Sequence, residues 1–125
     1  MPAEKVLRKL ESSYSALFNS IPIGMSVATY DGRVLAGNDF LLKLTGYSEE
    51  EIKQINLVDV YLNPEDRTRL LHQVQYDGFV RNFETVLKRK DGAFYFASLT
   101  MTPFTLDGHE VLLAVIEDIS DSELK

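Results

Sequence analysis

Three Asp-Gly pairs, at 31–32, 91–92 and 107–108, each separate two stretches that read as extended chain. Glycine reaches positive φ at no steric cost and aspartate tolerates the position before it, so each pair marks a tight hairpin turn. Ile23, Met25, Val27 and Thr29 alternate with Gly24, Ser26, Ala28 and Tyr30 ahead of the first pair, and Arg33–Gly37 returns after it. Val80–Lys90 and Ala93–Phe104 flank the second pair; Ala93–Phe104 and Glu110–Ile119 flank the third. Connections this short only join antiparallel neighbours. The run Val111–Ile116 has no polar alternation, so that strand is expected to be covered on both faces.

Helical signals fill the middle of the chain. Asn38 is placed to cap a helix over Asp39–Thr45, with Gly46 just past its end. Ser48 and Glu51 form a capping box. Asn63-Pro64-Glu65-Asp66 opens a third helix, with a cap, proline at the first position and two acids at the positive end; it should run to about Gln75. At the N-terminus, from Ala3 to about Asn19, Leu7, Leu10, Tyr14 and Leu17 step by heptad spacing, which predicts an amphipathic helix. It can lie on its own domain or form a dimer seam. The order is helix, two strands, three short helices, three strands, in one α+β domain of 125 residues.

Composition excludes several classes of function. With 13 basic against 19 acidic residues the net charge is −6, the wrong sign for a nucleic-acid groove. The one basic cluster, Lys88-Arg89-Lys90, is followed at once by Asp91 and reads as a solvated strand end. The chain has no cysteine, which removes disulfides, thiolate metal sites and cysteine nucleophiles. No apolar run approaches the roughly 18 residues of a membrane span, and the charged N-terminus is unlike a signal peptide, so no membrane insertion is expected.

Gly32-Arg33-Val34-Leu35 leading to Asn38, Gly46-Tyr47-Ser48-Glu49-Glu50-Glu51, Asn63-Pro64-Glu65-Asp66-Arg67, Lys90-Asp91-Gly92 and Asp118-Ile119-Ser120 come in an order and spacing that resemble a PAS sensory domain over roughly residues 17–120. The resemblance implies a five-stranded antiparallel sheet (a profilin-like architecture) with short helices packed on one face around a pocket. It implies a cytoplasmic, non-catalytic module of a multidomain signalling protein, such as a sensor histidine kinase of a two-component system. Such modules dimerise, bind ligands and pass a change to an output domain in the same chain. Asp118, Ile119 and Ser120 look like the family's terminal motif, where the last strand hands over to an output helix. The family more often has Thr at the Ser120 position, and a glycine common after the Glu49–Glu51 helix is replaced by Lys53-Gln54-Ile55. On this reading residues 1–19 form the N-terminal helix, 20–120 the sensory domain, and 121–125 the start of a linker.

The residues name no cofactor. Some PAS domains hold haem through a histidine on the helix before the third strand, but His72 falls roughly 150° from the stripe of Leu70, Leu71 and Val74. Flavin photochemistry in the family needs a pocket cysteine; redox flavin binding is left without a residue to mark it. His109 sits in a turn with no second histidine at metal-ligand spacing. The acids Glu49, Glu50, Glu51, Glu65 and Asp66 are explained by helix starts, and no base is placed to activate Ser98, Thr100 or Thr102. An enzyme working through Glu84, Glu110 or Glu117 has no further support. The pocket of an unknown small ligand is expected among Met25, Val27, Leu41, Leu44, Leu57, Leu71, Phe83, Leu99 and Met101, all equally explained as core. A ligand-free protein-interaction domain is the alternative.

Overall fold

The computed structural model describes residues 16–123, with side chains through Asp121. Leu7, Leu10 and Tyr14 lie outside the described residues. Residues 16–20 are helical and lead into β1 (Gly24–Ala28) and β2 (Val34–Gly37). Next come α1 (Asp39–Thr45), α2 (Glu49–Ile52), a 3-10 turn at Leu57–Val60 and α3 (Pro64–Asp77). β3 (Val80–Lys88), β4 (Phe94–Leu106), β5 (His109–Asp118) and the helical turn α4 (Ser120–Glu123) complete the order. The strands form one antiparallel sheet in the order β2-β1-β5-β4-β3.

The sequence-distant pairing of β1 with β5 makes β5 the central strand, which is why Val111–Ile116 has no polar face. Leu112, Ala114 and Ile116 join the main core under the helices, while Val111 and Leu113 pack on the other side with Val27, Leu35, Leu106 and Phe18. At the first hairpin Gly32 has φ +96°, and a Cβ there would stand 2.6 Å from the Asn56 side-chain oxygen. Glycine is needed there on both counts.

Helix ends follow the local chemistry with two exceptions. Ser48 Oγ accepts from Glu51 N at 3.1 Å and Ser48 N donates to Glu51 Oε1 at 2.8 Å, completing the capping box. α2 then stops after a single turn at Lys53, which stays right-handed, and Gln54 N donates to Glu51 O at 3.0 Å. That end needs no glycine. Asn63 makes no side-chain cap, contrary to expectation; the neighbouring Asp66 carboxylate is instead drawn inward, accepting from Thr85 Oγ1 at 2.7 Å and from Arg69. The 3-10 turn was not legible in the sequence because nothing but Asn56, capping Val58 N at 3.0 Å, starts it.

Asn38 does far more than cap α1. It is fully buried; Oδ1 accepts from Leu41 N and Met25 N at 3.0 Å, while Nδ2 donates to Phe18 O at 3.0 Å and Ile23 O at 2.8 Å. One amide thus joins α1 to the chain entering β1. Every donor and acceptor it has is engaged, which is the condition for burying an amide without penalty.

Candidate functional site

A cavity of about 60 Å³ lies between the helices and the inner face of the sheet. Ser26 and Ile116 form its floor, Leu41, Thr45 and Tyr47 one wall, Ile52, Ile55, Leu57 and Val60 its roof, and Leu87, Lys88 and Tyr95 its far end, with Val34 beside them. α1 can approach so closely because β1 and β2 offer glycine beneath it: a Cβ on Gly24 or Gly37 would meet Leu41 at 3.2 and 3.0 Å. The volume admits a few water-sized groups and is far below the roughly 300 Å³ at which drug-sized ligand sites begin. A haem or a flavin has no room there unless core side chains move.

The expected pocket residues divide three ways. Leu41 and Leu57 line the cavity. Leu99 and Met101 are buried in the same core without reaching it, and Leu44, Leu71 and Phe83 pack at its periphery. Met25 and Val27 are corrected outright: they pair with Val115 and Leu113 and lie on the opposite face of the sheet. Both faces of β1 carry apolar residues, so hydrophobicity alone could not choose between the two parities. The small set Gly24, Ser26 and Ala28 faces the helices, and its smallness was the signal available for that choice.

Tyr95, which lines the cavity, and Tyr61 are both buried. Burial pushes the Tyr95 hydroxyl up to about 12 against the pull of Arg89, and it raises Tyr61 against the pull of Arg67, so both remain hydrogen-bond donors at neutral pH. The Arg89 guanidinium lies 4.2 Å from the centre of the Tyr95 ring, and its Nη2 donates to Asp118 Oδ2 at 2.8 Å. Asp118 Oδ1 accepts from Ser120 N at 2.9 Å, Phe96 N donates to Ser120 Oγ at 3.1 Å, and Ile119 N donates to Phe96 O at 2.8 Å. Partial burial works to raise the Asp118 carboxyl, but the Ser120 hydrogen bonds and Arg89 together hold it below the ordinary value. Asp118, Ile119 and Ser120 are therefore one knot at the point where the chain leaves the sheet. Ser120 Oγ is the acceptor it uses there, a role that the hydroxyl common to Ser and Thr can fill.

The remaining candidates lie elsewhere. His72 is exposed on α3 and meets Tyr76 edge-on at 6.4 Å; His109 is exposed, its Nδ1 3.0 Å from Asp107 O. Glu84, Glu110 and Glu117 are exposed, and Glu110 accepts from Tyr30 Oη. Leu17, the one member of the expected N-terminal seam among the described residues, is exposed. Among the described residues no group of three His, Cys, Asp or Glu is placed to hold a metal ion, and no helix is long and apolar enough to cross a membrane.

The family model described as PAS domain matches residues 22–121. The sensor histidine kinase TmoS of Ectopseudomonas mendocina is 24% identical over 119 residues, a match that covers 90% of this chain and 12% of that protein. A PAS domain from a two-component sensor histidine kinase superposes with a TM-score of 0.76 at 16% identity, covering 89% of this chain and 98% of that one. The PAS domain of an HTR-like protein from Haloarcula marismortui has a TM-score of 0.68 at 29% identity over 93% and 97%. The fold, the helix-side cavity, the terminal knot and the matched span agree: this chain belongs to the PAS domain family.

Proposed function

We propose that the domain is a non-catalytic sensory and dimerisation module of a larger signalling protein, a sensor histidine kinase or similar. It senses a small molecule or the state of its cavity and passes the change to an output domain through its flanking helices. One observation carries this reading. Arg89 packs on Tyr95, which lines the cavity, and ion-pairs with Asp118, which starts the exit to α4. A shift of Tyr95 therefore reaches the terminal knot through one guanidinium. A ligand moves this equilibrium only if it binds the two arrangements with different affinity.

The direct test fills the cavity with Leu57→Trp and follows amide hydrogen exchange. Altered exchange across residues 118–123 is the expected result; exchange altered only around Leu57 refutes the relay. Dimerisation is tested by sedimentation of Leu10→Asp with Tyr14→Asp. The double variant should lose the dimer mass, and an unchanged mass removes the seam. The small cavity favours the second reading, a protein-interaction domain with a filled core. Native mass spectrometry separates the two, since a small molecule that repeatedly co-purifies supports sensing.

A further inference from the structure

The cavity is lined for a guest that makes no hydrogen bonds. Its walls are mostly branched aliphatic side chains, among them Leu41, Ile52, Leu57 and Ile116, and no carboxylate lines it among the described residues. Polar ligands are held by a few polar groups that converge on one place. Here the polar groups are spread apart. Ser26 on β1 pairs with Ala114, and Ala114 pairs with Met101 on β4; Tyr95 lies six residues along β4 from Met101, with β5 between the two strands. The Thr45 hydroxyl already donates to Leu41 O at 2.9 Å, and Tyr47 and Lys88 are only half-buried. A polar molecule held there would leave its own groups unpaired, which is costly in an apolar site. Cavities walled by aliphatic side chains stay dry and accept apolar guests. The roof is built as a strap. Leu57 N donates to Gly32 O at 2.9 Å and Leu62 N donates to Val86 O at 3.0 Å, which pins the segment between them to the first hairpin and to β3, toward opposite edges of the sheet. Ile55, Leu57 and Val60, which line the cavity from this side, are half-buried and so in contact with solvent.

We propose that the cavity is a site for a neutral apolar molecule of about two or three heavy atoms, a dissolved gas or a short hydrocarbon. A cavity of roughly 150 Å³ takes benzene, and about 60 Å³ takes no more than half of that. The guest enters past the strap at Leu57 and Val60. It then lies on Ile116, which precedes Asp118 by two residues on β5, so it touches the strand that carries the terminal knot. So small a guest gains little contact, and half-saturation on the order of a millimolar or weaker is expected. The inference rests on the sensory reading and narrows it to one class of ligand.

The test titrates the 125-residue chain with ethylene dissolved under pressure and with methanol, a polar molecule of the same size, reading shifts of side-chain methyl resonances. Saturable shifts at Leu41, Ile52, Leu57 and Ile116 are expected with ethylene, and methanol should bind at least about tenfold more weakly. Leu57→Phe fills the space and should abolish the ethylene shifts; a folded Leu57→Phe that keeps them overturns the site. The parent chain decides even where that variant does not fold. No saturable shift with ethylene, an equal response to the two probes, or a response confined to Met25, Val27 and Leu113 on the other face of the sheet overturns the proposal. Ethylene shifts at the lining residues with unchanged amide exchange across residues 118–123 keep the site and refute the relay. A polar molecule that repeatedly co-purifies in native mass spectrometry and occupies the cavity overturns this class of ligand and leaves the sensory reading standing.

Discussion

The two faces of the sheet are made by the same five strands and finished differently. Under the helices the space is closed: Leu70 and Leu112 are essentially without solvent contact and the remaining cavity is about 60 Å³. On the other face a groove of about 380 Å³ runs between Leu17, Phe18, Ile21, Met25 and Phe104, and Phe94 and Phe96 stand 53% and 42% exposed. Apolar alternation makes a strand amphipathic twice over; only the presence of a covering layer turns one side into core. Exposed aromatic surface of this kind is characteristic of an interaction face.

Leu70→Ala should break the closed face most. Removing a fully buried leucine with no room to collapse costs about 3 kcal/mol, read as a lowered urea midpoint at an unchanged slope. Phe96→Ala, on the open face, should cost no more than about 0.5 kcal/mol, and an equal loss at both sites would erase the distinction. Asn38→Ala comes next, since it strands Phe18 O, Ile23 O, Met25 N and Leu41 N; about 2 kcal/mol is expected by the same measurement. Asn38→Asp keeps the acceptor and loses the two donors, so it should fall between the alanine variant and the parent.

Asp118→Asn should have a smaller effect than Asn38→Ala, under about 1 kcal/mol, because the pair with Arg89 is partly solvated. Its sign with pH is fixed. The folded carboxyl is held below 3.8, so it binds protons less readily than in the unfolded chain. Its contribution is complete above that value and disappears as the pH falls through the folded pKa. The stability difference between parent and Asp118→Asn should therefore begin to shrink as the pH falls below about 4 and vanish once it is below the folded pKa. A difference that persists there assigns the effect to packing and not to the charge.

Much of the architecture was legible because its signals are local. The Asp-Gly turns, the Ser48–Glu51 capping box, Pro64 at a helix start and the left-handed glycines at 46 and 78 each depend on a few neighbouring residues. The assignment of Met25 and Val27 to the cavity failed for the opposite reason. Whether Met25 or Ser26 faces the helices is a question of parity, and parity is set by what packs on each side of β1, far away in the chain. Asn38 looked like an ordinary cap because its other three partners lie 13 to 20 residues upstream. Asp66, read as an acid at a helix start, is buried and held by Thr85, and Arg67 beside it is buried with a hydrogen bond to the Tyr30 carbonyl.

The sequence by itself determined the antiparallel sheet, the sites of helix initiation, the exclusion of cysteine chemistry and the family. All of these follow from backbone preferences and composition, which act within a few residues. The tertiary structure alone decided which face of β1 meets the cavity, that β5 lies at the centre, and that Arg89 links Tyr95 to Asp118. Those are outcomes of close packing between distant segments, where shape and satisfied hydrogen bonds, not local propensity, select the arrangement.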